Sequence, residues 1–119
     1  MPERVEQGGI EDKVWVVLVT APGEIAEELA RNLVESRLAA CVNVISGATS
    51  VYRWKGTLHA DRESLLMAKV PAPSFPAFRD AVRRLHPYEV PEILALPVEA
   101  GLTEYLDWVQ ASCLGPGED

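Results

Sequence analysis

No apolar run in the 119-residue chain approaches the ~20 residues of a transmembrane helix, so a helical membrane span is excluded. The first twelve residues, MPERVEQGGIED, carry neither an apolar core nor a small-residue cleavage site and do not read as a signal peptide. Cysteine is scarce. Cys41 and Cys113 have neither CxxC spacing nor the density of a disulfide scaffold, and the expectation is a cytoplasmic protein. Positive charge is in deficit, 11 Lys and Arg against 18 Asp and Glu, a net charge of −7. That balance argues against nucleic acid or an anionic membrane as the main partner and is compatible with cations. Glycine-rich phosphate loops, HExxH and serine-elbow motifs are all missing, as are internal repeats and linkers.

What remains is an ordinary globular composition, 48% hydrophobic, long enough to bury about two-thirds of its unfolded surface as one domain. The expected layout is a flexible arm at residues 1–12, a single domain over 13–113 and a flexible tail at 114–119. Its dominant stretch runs from Cys41 to Val70: CVNVISGATSVYRWK, then Gly56, then TLHADRESLLMAKV. This reads as one β-hairpin. Its arms, at about 3.3 Å per residue, would reach on the order of 45 Å, against about 3–10 residues for ordinary strands and a radius of gyration of about 14 Å. Arms that long outrun their own domain, so bulges or a second copy of the chain must interrupt or cover them. Lys55-Gly56 suits a two-residue turn, and Gly47 suits a bulge. Leu65 and Met67 alternate with Leu66, Ala68 and Val70, the pattern of a strand buried on both faces. At the tip, Tyr52, Arg53 and Trp54 have the composition of an association surface, and the alternative is that the aromatics fold back on their own domain.

Around the hairpin, Lys13 to Ala21 is a β-branched run and reads as a buried central strand. Ile25, Ala26, Leu29, Ala30, Leu33 and Val34 recur at helical spacing, in a helix expected to end near Leu38-Ala39-Ala40. After the hairpin, Ser74 is the expected N-cap of a helix with Pro76 in its first turn, stopped near His86 by Pro87. A short strand follows from Glu92 to Val98, in which Pro97 forces an edge position or a break. Thr103 is expected to cap a last helix with Tyr105, Leu106 and Val109 on its buried side. The order is a βαββαβ unit with a C-terminal helix: an α+β, ferredoxin-like sandwich whose sheet keeps one face uncovered and available for self-association.

The densest chemistry lies in HPYEVPEI, His86 to Ile93, where two prolines fix a connector carrying His, Tyr and two carboxylates. His86 is a candidate metal ligand, or a helix-end histidine meeting bare carbonyls. Cys41 is a candidate soft ligand, or a small core residue. A hydrolase built on Cys41 would need a base in contact, and no spacing shows one. His59, Asp61 and Glu63 alternate along one strand face, which is a solvated or subunit-contacting face unless they bind something.

These residues resemble a known family. Ala39-Ala40-Cys41-Val42-Asn43, Ser50 through Gly56, Glu63 through Lys69, HPYEVPEI and Glu104-Tyr105-Leu106-Asp107-Trp108 look like the CutA divalent-cation-tolerance proteins, over Val14 to Ala111. The resemblance implies a non-enzymatic, ferredoxin-like homotrimer joined through the long hairpins. Its architecture is similar to the PII signalling trimers, which bind small molecules in inter-subunit clefts. It implies copper (Cu2+) or another divalent cation as the partner, with Cys41 and His86 at the copper-linked positions and no organic cofactor. Two positions depart from the pattern: Leu85 stands where some members have a second histidine, and Val19 where some have a cysteine. Glu63, Lys69, Tyr88, Glu89, Glu92 and Trp54 are the candidates for a cleft, and Tyr52, Arg53 and Trp54 for trimer contacts.

Overall fold

A computed structural model describes residues 13–114; the arm expected at 1–12 and the tail beyond Leu114 lie outside the described residues. The elements are β1 (Val14–Ala21), α1 (Gly23–Glu35), β2 (Cys41–Trp54), β3 (Thr57–Pro71), α2 (Phe75–Leu85), β4 (Ile93–Pro97) and α3 (Thr103–Ser112). One antiparallel sheet runs in the order β2-β3-β1-β4, the ferredoxin-like arrangement anticipated from the sequence. Among the described residues no helix is long and apolar enough to cross a membrane.

Strand alternation sorts the sheet residues into two faces. On one, Val17 and Val19 of β1 and Leu66, Ala68 and Val70 of β3 meet Leu29 and Leu33 of α1 and Phe78 and Val82 of α2, all buried. Each of these large side chains contributes about 1.5–3 kcal/mol by leaving water. Trp15 tilts onto Phe75 at 5.5 Å between ring centres and closes this layer at the start of α2.

The other face carries Val16 and Leu18, the directly opposed Lys69 and Met67, then Cys41, Asn43 and Ile45 of β2, and Leu94 and Leu96 of β4. Only its end is covered, where Val109 of α3 seats on Val14 and Ala40. Leu94 and Leu96 stay more than half exposed, and Ile45 nearly so. The expectation that β3 is buried on both faces therefore holds within one chain for the helix side; Leu65 and Met67 are only partly covered.

The hairpin has the anticipated length, 14 residues in β2 and 15 in β3, and gives the molecule a long axis of 50 Å. Lys55 (φ 51°) and Gly56 (φ 82°) turn it, the double positive φ of a type I′ connection. Between Ile45 and Ala48 the register slips: Ser46 and Gly47 oppose Ser64 alone, a bulge in which Gly47 takes φ 85°.

Three helix ends differ from expectation. α1 stops at Glu35 because Arg37 turns left-handed (φ 61°); the Arg37 N–H donates to the Val34 carbonyl and the Leu38 N–H to that of Leu33. This is a Schellman closure with arginine where glycine is usual. The Arg37 guanidinium donates to the Ser112 carbonyl at 3.2 Å, tying this turn to the end of α3. Thr103 is the first helical residue of α3 rather than its cap, and Leu102 precedes it. Ser74 stands at the α2 cap position without a side-chain cap bond. Tyr105, expected on the buried side of α3, is 40% exposed and lies over Cys41.

Candidate functional site

β1 is central for most of its length, but β4 begins opposite Val19, so the carbonyl of Thr20, which faces the β4 side, has no strand to bond. His86 fills that gap. Its main-chain N–H closes α2 on the Val82 carbonyl, and its ring turns in, with Nε2 donating to the Thr20 carbonyl at 2.7 Å. Nδ1 accepts the Tyr88 N–H at 3.1 Å, so the two partners select the Nε2–H tautomer. The side chain is buried, 7% exposed, and leans on the Tyr88 ring at 4.7 Å. An imidazole thus substitutes for the missing end of a strand and anchors the connector 86–92.

The anchored connector faces the outer half of the hairpin, and between them lies a cavity of about 540 Å³. Glu63, 6% exposed, stands on its wall, and one of its carboxylate oxygens accepts the Tyr88 hydroxyl at 2.7 Å. Beyond the bulge, Ser50, Tyr52 and Trp54 share the face of Glu63 and line the same space, with Thr20 at the end of β1. Glu89, Val90 and Glu92 of the connector close the opposite side. Tyr52 donates its hydroxyl to Asp61 and stacks on His59, ring centres 5.1 Å apart at 11°. Burial, followed by the hydrogen bond to Glu63, holds the Tyr88 phenol well above its ordinary range. The Asp61 hydrogen bond leads the upward shift of Tyr52.

Of the residues singled out in the sequence, Trp54, Glu63, Tyr88, Glu89 and Glu92 are brought together in this cavity. Lys69 is not. It shares the face of Glu63 but lies six residues away along β3, about 20 Å, and donates to the Asn43 side chain. Cys41 opposes Lys69 on the open face, beside the Tyr105 hydroxyl. Two strand spacings and four residues separate Cys41 from Thr20, where His86 is bonded, an offset of roughly 16 Å. Cys41 and His86 therefore do not meet, and both ring nitrogens of His86 are engaged inside the chain. Among the described residues no three His, Cys, Asp or Glu gather closely enough to hold a metal ion. Arg53 lies on the opposite face of the hairpin from Tyr52 and Trp54. Cys113 is half-buried near Arg37, and burial, partly opposed by the guanidinium, pushes its thiol up to about 11. Thr20, Ser50 and Val90 are lining residues that sequence reasoning missed. Ser50 was legible in principle, since it opposes Asp61 in the same alternating row as Glu63.

The arrangement offers carboxylates and aromatic faces around an accessible space, suited to holding a positively charged guest.

Comparison with known proteins agrees with this architecture. The family described as CutA1 divalent ion tolerance protein matches residues 15–112. The divalent-cation tolerance protein CutA of Thermus thermophilus is 52% identical over 96 residues, 80% of this chain and 93% of that protein. The human protein CutA is 50% identical over 104 residues, 87% of this chain but 58% of its own length, so the chain spans little more than half of that relative. The solved structure of the PII-like protein CutA from Nostoc sp. PCC 7120 superposes with a TM-score of 0.79 at 36% identity, covering 86% of this chain and 97% of that one. The chain belongs to the CutA1 divalent ion tolerance protein family.

Proposed function

We propose that the protein serves divalent-cation tolerance in the cytoplasm as a non-enzymatic homotrimer that binds a ligand in the cavity beside each hairpin. The observation that carries this reading is the cavity itself, built around a buried carboxylate and three aromatic rings. Assembly is supported by the open sheet face, which leaves Ile45 exposed on one edge strand and Leu94 and Leu96 on the other, and by a hairpin longer than its own core. Copper or another divalent cation is the first ligand to test. Because donors are dispersed among the described residues of one chain, a tight metal site is built here with donors from a second copy, and binding is expected in the assembled protein. The test is a competitive Cu(II) titration with the oligomer mass measured in the same buffer, on the native chain, Glu63→Gln and His86→Ala. Stoichiometric binding by the trimer supports the reading; weak, non-stoichiometric binding removes metal as the ligand.

A second reading, a PII-like sensor of a small molecule, is favoured by the size of the cavity. About 540 Å³ falls within the range of roughly 300–1,000 Å³ for small-molecule pockets, and three aromatic side chains line it.

A further inference from the structure

Glu63 is an anomaly. It is 6% exposed, yet the one hydrogen bond to its carboxylate among the described residues comes from a neutral phenol, on one of its two oxygens. No lysine, arginine or histidine of the described residues forms an ion pair with it. A buried carboxylate is unfavourable unless a cation or a full set of donors accompanies it. None of the residues lining the cavity is basic, and Glu89 and Glu92 add to its negative field. Its other walls are the rings of Tyr52, Trp54 and Tyr88, whose faces attract cations. The space far exceeds what one metal ion and its few waters need, at about 30 Å³ per water.

We propose that this cavity binds a small organic ammonium ion, its charged head against Glu63 and its carbon body across Tyr52 and Trp54. The proposal rests on the second reading above, that the cavity takes a small molecule, and it names the class. Carboxylate and aromatic faces together recognise an alkylated or aliphatic ammonium better than a bare divalent cation, which gains nothing from the rings while losing its hydration. An acidic metabolite is disfavoured by the same wall, since none of its lining residues within the chain is basic.

The test is calorimetric titration of the full chain with choline, putrescine and spermidine. 3,3-Dimethylbutanol serves as the uncharged analogue of choline, and Mg2+ and Cu2+ are titrated in parallel. At least one amine is expected to bind saturably, with affinity falling as salt rises and at least tenfold weaker in Glu63→Gln. Glu63→Gln keeps an acceptor for Tyr88 and removes only the charge; Trp54→Leu is expected to weaken choline more than putrescine. Circular dichroism and oligomer mass of each variant show that the fold is retained. Binding of the uncharged analogue as tightly as choline, or equal amine binding by Glu63→Gln, overturns the proposal. So does the absence of saturable binding by every amine. If Cu2+ or Mg2+ binds stoichiometrically and loses affinity in Glu63→Gln while no amine binds, the inference fails and the divalent-cation reading stands. Amine binding without metal binding has the opposite meaning.

Discussion

Replacing His86 by alanine removes the group that stands in for the absent end of β4. Two main-chain groups lose their partner at once, the Thr20 carbonyl bonded at 2.7 Å and the Tyr88 N–H bonded at 3.1 Å. Each unsatisfied buried group costs about 1–3 kcal/mol. Water entering the vacated space recovers part of that, while the lost contact with the Tyr88 ring adds to it. The expected destabilisation is about 3–4 kcal/mol, near the upper end for single substitutions. It is read from urea unfolding midpoints at one fixed chain concentration, since an assembling protein gains apparent stability by mass action. The Tyr88 amide should also lose its protection against hydrogen exchange, and amine or metal affinity should fall together with it as the connector loses its anchor. A loss below about 1 kcal/mol with an unchanged slope would refute the reasoning and return His86 to the pool of available ligands.

Three further outcomes are expected. Leu94→Arg places a charge in the exposed apolar row of β4 and should convert the proposed homotrimer to single chains in light scattering, with far-ultraviolet dichroism unchanged. Cys113, whose thiol is pushed up to about 11 from 9.0 by burial, contributes stability that is complete below about pH 9 and is lost as pH rises towards 11, because only the unfolded chain releases that proton in between. Cys113→Ser should flatten this alkaline decline in a pH series of melting temperatures, and Cys113 should react with thiol reagents more slowly than a free cysteine at pH 8. Lys55 occupies a left-handed position (φ 51°) that asparagine or glycine adopts more readily; Lys55→Asn should raise stability by up to about 1 kcal/mol in urea unfolding.

The hairpin, its turn and its bulge were readable because length, alternation and two glycines are local features with few alternatives. The open face was readable for a related reason. Leu65 and Met67 alternate with a buried row, and the chain has only enough helix to cover one side. The cavity was readable in part, since HPYEVPEI and the Glu63 row announced themselves by composition while their meeting is a tertiary event. Lys69 reads as a cleft candidate because a few polar groups suit an apolar-walled pocket, and distance along the strand keeps it out of the cavity formed within one chain. His86 was weighed as a ligand or as a partner for helix-end carbonyls. Its actual partner is a strand carbonyl, exposed by a register between β1 and β4 that no local pattern encodes. The end of α1 was missed because Arg37 takes a conformation usually marked by glycine, supported by a bond to Ser112 on a helix 75 residues away.

The bulge at Gly47 has a bearing on how the chain opens. Inward of it, β3 is held between β1 and β2; outward of it, β2 and β3 have only each other in the sheet, and Glu63–Tyr88 is the one side-chain hydrogen bond among the described residues that ties this half to the rest. The outer hairpin is therefore a separate cooperative unit, bounded by a glycine and fastened by a single phenol. In an isolated chain its amides should exchange ahead of the core. A guest lodged between connector and hairpin would bridge that boundary and merge the two units into one.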